Sequence, residues 1–473
     1  MLALRCVKLP HHGRFFNGGL FGGGSTQGML GLKTNSSPAH RSAARLEFAT
    51  SPTPETTKQL MGLPNINFSD EQLRLKETAN KIGQKYLLPQ ASEHDKNHSF
   101  NEEAFQAACD AGLLGIWIPK AYGGSENGVL GLALVVEEFS KADPAFGVAF
   151  AVNALGSFPI IVGGTEEQKQ KYLPQVAQGK AACAFALSEK FAGSDAGGLS
   201  VRAKKVDGGW KIHGEKKWTT NGSRATILTC FAVSDPESRS RRISAFVVEN
   251  TDEGFSIQKT EDKLGIRSVP VCETVYDGVF LPDDRLLGGK PGLGFKHSMM
   301  TLDLARPGVA AQAVGTAAGA LELANTYANR RKQFGRNIGS FQMVQAMLAD
   351  MAMKTESARW LVYACASAAD AGDMKAVNKY AAMAKCWSTD VAMAVATDAV
   401  QIFGGYGFME DYPIAKFFRD AKILQIYEGT NQVQRMVIAR NLMKESGEYD
   451  YLNEFIPEET QKTWGDDYEI ANT

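Results

Sequence analysis

Apolar residues recur at helical spacing from Ser69 to about Lys180, which predicts a run of helices. Ser69-Asp70-Glu71-Gln72 reads as a capping box ahead of Leu73, Leu75 and Ala79. Residues 102–111 and 131–141 repeat the period, the second with Leu132, Leu134, Val135, Val136 and Phe139 on its apolar side, and Gly123-Gly124 and Gly163-Gly164 interrupt it. The most apolar stretch, residues 145–164, carries Asn153, Ser157 and Pro159 and lacks the clean run of roughly 20 apolar residues that spanning a bilayer requires. A buried helix ending near Ser157-Phe158-Pro159 is expected there, and no transmembrane segment.

Between Ala181 and Gly289 the texture changes to short β-rich segments at 183–187, 210–213, 226–233, 243–248, 255–259 and 274–281. Asp207-Gly208-Gly209 and Asp235-Pro236 separate them as turns, so a compact β-barrel or sandwich is predicted. From about Phe295 the helical period returns. Val344, Met347, Leu348, Met351, Ala358, Leu361, Val362 and Cys365 share one side of a long helix, and Val377, Tyr380, Ala384, Trp387, Val391 and Val395 share one side of the next. Small residues from 309 to 324 let helices approach closely. The expected organisation is a helical domain over 64–180, a β domain over 181–293 and helices over 294–444. A structural protein could share that outline.

The 473 residues are 44% hydrophobic and 22% charged with a formal charge of −1, so nothing favours nucleic acid, although a local basic patch can still hold an anion. Cys6, Cys109, Cys183, Cys230, Cys272, Cys365 and Cys386 are scattered and form no C-x-x-C pair, which predicts buried thiols in a reducing compartment rather than disulfides or a zinc site. Arg5, Lys8, Arg14, Lys33, Arg41 and Arg45 precede the first acidic residue, Glu47. Residues 1–50 therefore read as an organelle presequence, removed or disordered, and point to the mitochondrial matrix; the alternative is a disordered bacterial extension. Residues 445–473 form an acidic tail.

Five segments carry candidate chemistry, and each has an ordinary structural reading beside it. In Gln425-Ile426-Tyr427-Glu428-Gly429-Thr430-Asn431-Gln432, Thr430 can cap a helix and Glu428 can be fixed at the loop-to-helix junction and aimed into a cleft; alone, it reads as an exposed loop carboxylate. Ser188-Glu189-Lys190-Phe191-Ala192-Gly193-Ser194-Asp195 can bring backbone donors to an anionic or planar ligand, or be a surface loop. Lys217-Trp218-Thr219-Thr220-Asn221-Gly222 sets an aromatic and hydroxyls beside a turn, or buries a core tryptophan. Asn329-Arg330-Arg331-Lys332-Gln333-Phe334-Gly335 suits phosphates and a ring, or is a solvated helix end. Gln401-Ile402-Phe403-Gly404-Gly405-Tyr406-Gly407 lacks dinucleotide-turn spacing and reads as a glycine-stopped helix. No H-E-x-x-H, G-x-S-x-G or P-loop pattern occurs, and no metal site is expected.

Taken in order from about Phe68 to Met443, these segments resemble the acyl-CoA dehydrogenase family. The specific signatures are Ile426-Tyr427-Glu428-Gly429-Thr430, Arg331-Lys332-Gln333-Phe334-Gly335, Ala192-Gly193-Ser194-Asp195 and Trp218-Thr219-Thr220-Asn221-Gly222. The segments Phe185-Ala186-Leu187-Ser188-Glu189 and Lys263-Leu264-Gly265-Ile266-Arg267 look most like the short-chain, butyryl branch. The resemblance implies an α+β multidomain fold ending in a four-helix bundle, with FAD held where the domains meet in a homotetramer built as a dimer of dimers. It implies that Phe185, Leu187, Ser188, Gly193, Ser194, Trp218, Thr220, Thr430 and Gln432 line the flavin of their own subunit, and that Arg331, Gln333, Phe334, Gln401 and Gly405 reach the FAD of a neighbour. Ser194, Asp303, Arg306, Tyr427 and Gly429 match positions that contact acyl-CoA. Lys190 departs from the family's usual proline, and Ala305 stands where other branches carry the base.

The implied reaction removes an α proton with Glu428 as general base while a β hydride passes to the flavin. The Glu428 N–H and a ribityl hydroxyl would act as an oxyanion hole. Electrons then go to electron-transferring flavoprotein. The rival readings are an acyl-CoA oxidase and a non-catalytic mitochondrial assembly or scaffold protein on the same fold.

Overall fold

The computed structural model describes residues 68–445. The expected presequence over 1–50 and the tail beyond 445 lie outside the described residues.

The N-terminal region is helical: α1 (Asp70–Ile82), α2 (Ala91–Asn97), α3 (Glu102–Asp110), α4 (Gly128–Ala142), α5 (Pro144–Gly163) and α6 (Glu166–Ala177). The capping box forms as read, with Gln72 N donating to Ser69 Oγ at 3.1 Å and Ser69 N donating to Gln72 Oε1 at 3.0 Å. Helix α5 does not end before Pro159 but runs four residues past it. The proline forfeits one backbone donor, while Phe158 and Ile160 on either side are buried, and their packing outweighs the lost bond. The polar residues that interrupt this apolar helix are its anchors. Asn153 Oδ1 accepts from Cys183 N at 3.0 Å, and Ser157 Oγ accepts from Trp117 Nε1 at 2.9 Å. By length and composition α5 and the span Met374–Phe408 could each cross a membrane, but most of α5 is buried inside the protein.

The β domain is one curled seven-stranded sheet made of β1 (Cys183–Ala186), β2 (Arg202–Val206), β3 (Gly209–Thr220), β4 (Ile227–Val233), β5 (Ile243–Glu249), β6 (Phe255–Thr260) and β7 (Val271–Pro282). The order is β1-β4-β2-β3-β7-β6, with β5 on β4. Strand β2 escapes the sequence pattern because its Arg202, Lys204 and Lys205 face solvent and only Ala203 is buried. The sheet leans on α5, where Thr229 Oγ1 donates to Gly156 O at 2.8 Å.

The C-terminal helices are α7 (Gly294–Arg330), α8 (Gln342–Asp370), α9 (Met374–Phe403), α10 (Pro413–Leu424) and α11 (Asn431–Glu445); a small hairpin, β8 (Lys332–Gln333) and β9 (Arg336–Asn337), follows α7. The small residues of α7 set its spacing from α4. A Cβ built on Gly315 would lie 2.2 Å from Glu137 O. Gly315→Ala is therefore expected to lower stability by about 1–3 kcal/mol by forcing backbones apart, read as a lower urea midpoint with unchanged slope.

Buried charges tie the three regions together. Lys416 on α10 bridges Asp143, the α5 cap, at 2.5 Å and Asp420 at 2.6 Å, and Asp420 accepts from Ile266 N of the β domain.

Candidate active site

Residues 425–430 join α10 to α11 in a tight turn with two successive left-handed residues, Glu428 at φ +52° and Gly429 at φ +94°. Glycine takes such a conformation freely, but a glutamate there costs on the order of 1–3 kcal/mol unless its surroundings over-determine it. They do. Gln434 Nε2 donates to Glu428 O at 3.2 Å and Gly429 O at 3.1 Å, Arg306 Nε reaches Glu428 O at 3.5 Å, and Lys385 Nζ donates to Gly429 O at 2.8 Å. Thr430 caps α11, its Oγ1 accepting from Val433 N at 3.2 Å. The Tyr427 hydroxyl donates to Gln312 Oε1 on α7.

The turn points the Glu428 side chain into a cavity of about 210 Å³. Its Oε2 is sealed from solvent and has no hydrogen-bond partner among the described residues. Burial pushes the carboxyl up to about 7, against the opposing pull of Arg306 and Lys385.

The same cavity is walled by Phe185, Leu187, Ser188, Gly193, Ser194, Trp218 and Thr220 from the β domain. Trp218 is not a core residue. Between Lys216↔Thr274 and Thr219↔Cys272 the β3–β7 register slips, so two residues oppose one. Trp218 sits in that bulge at φ +58° and is 55% exposed. With Thr220 and Tyr427 it also walls a second cavity of about 360 Å³ beside Lys263, Leu264 and Ile266. The loop carrying Ser188 and Ser194 is tied down by Glu189. This carboxylate accepts from Lys216 Nζ at 2.7 Å, Ser200 N at 2.6 Å and Val201 N at 3.1 Å.

Other predicted residues fall elsewhere. Asp303 stands behind the cavity, bonded to Arg306 Nη1 at 2.6 Å and to Asn378 Nδ2 at 3.0 Å, while Arg306 itself lines the cavity. Thr430 and Gln432 lie at the start of α11 and are not among the cavity walls. Arg331, Gln333 and Gly405 line a separate hollow of about 500 Å³. Phe334 occupies the tip of the β8–β9 hairpin and is 93% exposed, and Gln401 is exposed near the end of α9. Within one chain the second group therefore does not join the first. The sequence reading missed the apolar walls Val152, Leu155, Met299, Leu302 and Val433, and the supports Lys385 and Gln434. A lysine and a glutamine at buried helix positions were the available signals for the last two.

The acyl-CoA dehydrogenase N-terminal, middle and C-terminal domain models match residues 69–180, 184–279 and 292–443. The chain is 45% identical over 375 residues to the "Probable acyl-CoA dehydrogenase fadE25" of Mycobacterium leprae, covering 79% of this chain and 96% of that one. It is 42% identical over 387 residues to the "Acyl-CoA dehydrogenase, short-chain specific" of Megasphaera elsdenii, covering 80% and 100%. A solved structure described as the electron transferring flavoprotein of Acidaminococcus fermentans superimposes with a TM-score of 0.78 at 44% identity, covering 80% of this chain and 100% of that one.

These relatives overturn the mitochondrial matrix location expected from residues 1–50, because they belong to bacteria, which have no mitochondria. Enzymes of the family use FAD. The residues present suit that group: an exposed indole and hydroxyls wall two adjoining cavities, and Glu428, on the wall of the first, has a buried carboxylate oxygen that lacks a partner among the described residues. Three domain models in order and more than 40% identity along nearly whole relatives make the chain a member of the acyl-CoA dehydrogenase family, an FAD-dependent oxidoreductase.

Proposed function

We propose that this protein dehydrogenates short-chain acyl-CoA thioesters to trans-2-enoyl-CoA, with Glu428 as general base, and hands its electrons to an electron-transferring flavoprotein. The observation that carries the reading is the Glu428 carboxyl, which lines one cavity with Trp218, has its Oε2 sealed from solvent without a hydrogen-bond partner among the described residues, and is pushed up to about 7. A base acting near neutral pH works best with a value in that range.

FAD, when bound, takes up the hydride released from the β carbon. The protein's part is to hold and align. Phe185, Leu187, Ser188, Gly193, Ser194, Trp218 and Thr220 form the cofactor wall, with Thr430 and Gln432 at the start of α11. Arg306, through Asp303 and the Glu428 carbonyl, fixes the turn facing the thioester, and the backbone N–H of Glu428 is the donor for its carbonyl oxygen. Tyr427 and Gly429 complete the substrate side. The small volume of the cavity, about 210 Å³, and its apolar lining at Val152, Leu155, Met299 and Leu302 support a short acyl chain. So does the resemblance to a short-chain-specific relative.

Arg331, Gln333, Phe334, Gln401 and Gly405 lie apart from this wall and are assigned to the FAD of a neighbouring subunit in a homotetramer. Sedimentation should then give four chains, and Phe334→Ala should weaken FAD retention. The flavoprotein partner is supported by the match to the Acidaminococcus fermentans structure.

Anaerobic mixing with acyl-CoAs of increasing length tests the reading. The flavin absorbance should bleach fastest with a four-carbon chain, without peroxide on re-aeration in excess of slow background. Bleaching only by long chains would refute the substrate class, and stoichiometric peroxide would favour an oxidase.

A further inference from the structure

Lys385 lies in the middle of α9 with its side chain fully buried, flanked by buried Ala381, Ala382 and Ala384 and then Val391. A buried ammonium demands partners. Its Nζ donates to Gly429 O at 2.8 Å and to Asn431 Oδ1 at 2.9 Å, one acceptor on each side of Thr430. Asn431 is fixed in turn, its Nδ2 donating to Thr389 Oγ1 at 2.8 Å and Asp390 Oδ1 at 2.8 Å. Both acceptors of Lys385 are neutral. Arg306, the other cation facing Glu428, is committed to Asp303.

We infer that Lys385 is a positioning residue for the base: its ammonium clamps the left-handed turn from the α9 side and supplies a fixed positive charge behind the Glu428 carboxyl. The inference rests on Glu428 being the base. The charged and titratable groups around the pair are Arg306 from α7, Asp390 and Cys386 from α9, and Tyr427 from the turn. Burial pulls the Lys385 ammonium down to about 8, while the neighbouring Glu428 carboxylate pulls the other way.

The test uses the FAD-loaded protein and its Lys385→Met, Lys385→Gln and Glu428→Gln variants. The second-order rate of anaerobic flavin reduction by butyryl-CoA is followed across neutral pH, where it reports the free enzyme's base. Loss of the positive charge should move the midpoint of the rising limb up by about one pH unit in both Lys385 variants. Below the midpoint the rate then falls about tenfold. Lys385→Gln, which keeps a donor for Gly429 O, should hold the high-pH plateau better than Lys385→Met. An unmoved midpoint in either folded variant would overturn the inference, whatever happens to the plateau. Failure of the underlying reading looks different, since Glu428→Gln would then reduce its flavin at the parent rate.

Discussion

Glu428→Gln should retain its flavin and be reduced by acyl-CoA about 10²–10⁴-fold more slowly than the parent, the scale expected for removal of a general base. The substitution conserves size and the backbone hydrogen bonds that Gln434, Arg306 and Lys385 make to the turn. Only the proton-accepting oxygen is lost. Stability gives a second, opposite reading. The Glu428 carboxyl rises from an ordinary 4.5 to about 7 in the folded protein, so ionising it withdraws stability as pH climbs through that interval. Glutamine escapes this loss. Above pH about 7 the slow variant should therefore unfold at a urea concentration no lower than the parent's. A slow variant that is also less stable there would point to a disturbed turn rather than a missing base.

Glu189→Ala should be the most destabilising single change near the site, by about 3–5 kcal/mol, because it leaves the buried Lys216 ammonium without its countercharge. It also strips the acceptor from Ser200 N and Val201 N, which hold the end of the loop carrying Ser188 and Ser194. Thermal unfolding should fall sharply and FAD should be released at lower temperature. Burial works against both charges of the pair, yet Lys216 and the Ser200 donors hold Glu189 below its ordinary value. Its stabilisation is thus present above the usual carboxylate range and fades as pH drops through it. The double change Glu189→Leu with Lys216→Met should recover part of the loss, since it removes the stranded charge.

The fold was legible where side-chain periodicity reports burial. The apolar sides of α8 and α9 and the buried strands β4 and β5 lie where the pattern puts them, except that Trp387, expected on the apolar side of α9, is 44% exposed. Strand β2 was not, because an edge-like run of Arg202, Lys204 and Lys205 carries no apolar alternation. The end of α5 was misplaced because a proline's local penalty was weighed without the core contacts that offset it. At the site, the motifs named Glu428 and Trp218 through family resemblance. No local rule foretells a glutamate at φ +52° or an indole turned out by a β-bulge, since both depend on partners far along the chain. Lys385 shows in the sequence only as a lysine inside an apolar helix, and nothing local ties it to a residue 43 positions further on.

The most direct test of the account is to mix FAD-loaded protein anaerobically with butyryl-CoA, unlabelled or carrying deuterium on the α carbon, and follow the visible flavin absorbance. The account predicts bleaching that slows with the α label, as removal of that proton by Glu428 limits the step. Absence of bleaching with any short acyl-CoA, or bleaching indifferent to the label in a single turnover, would contradict it.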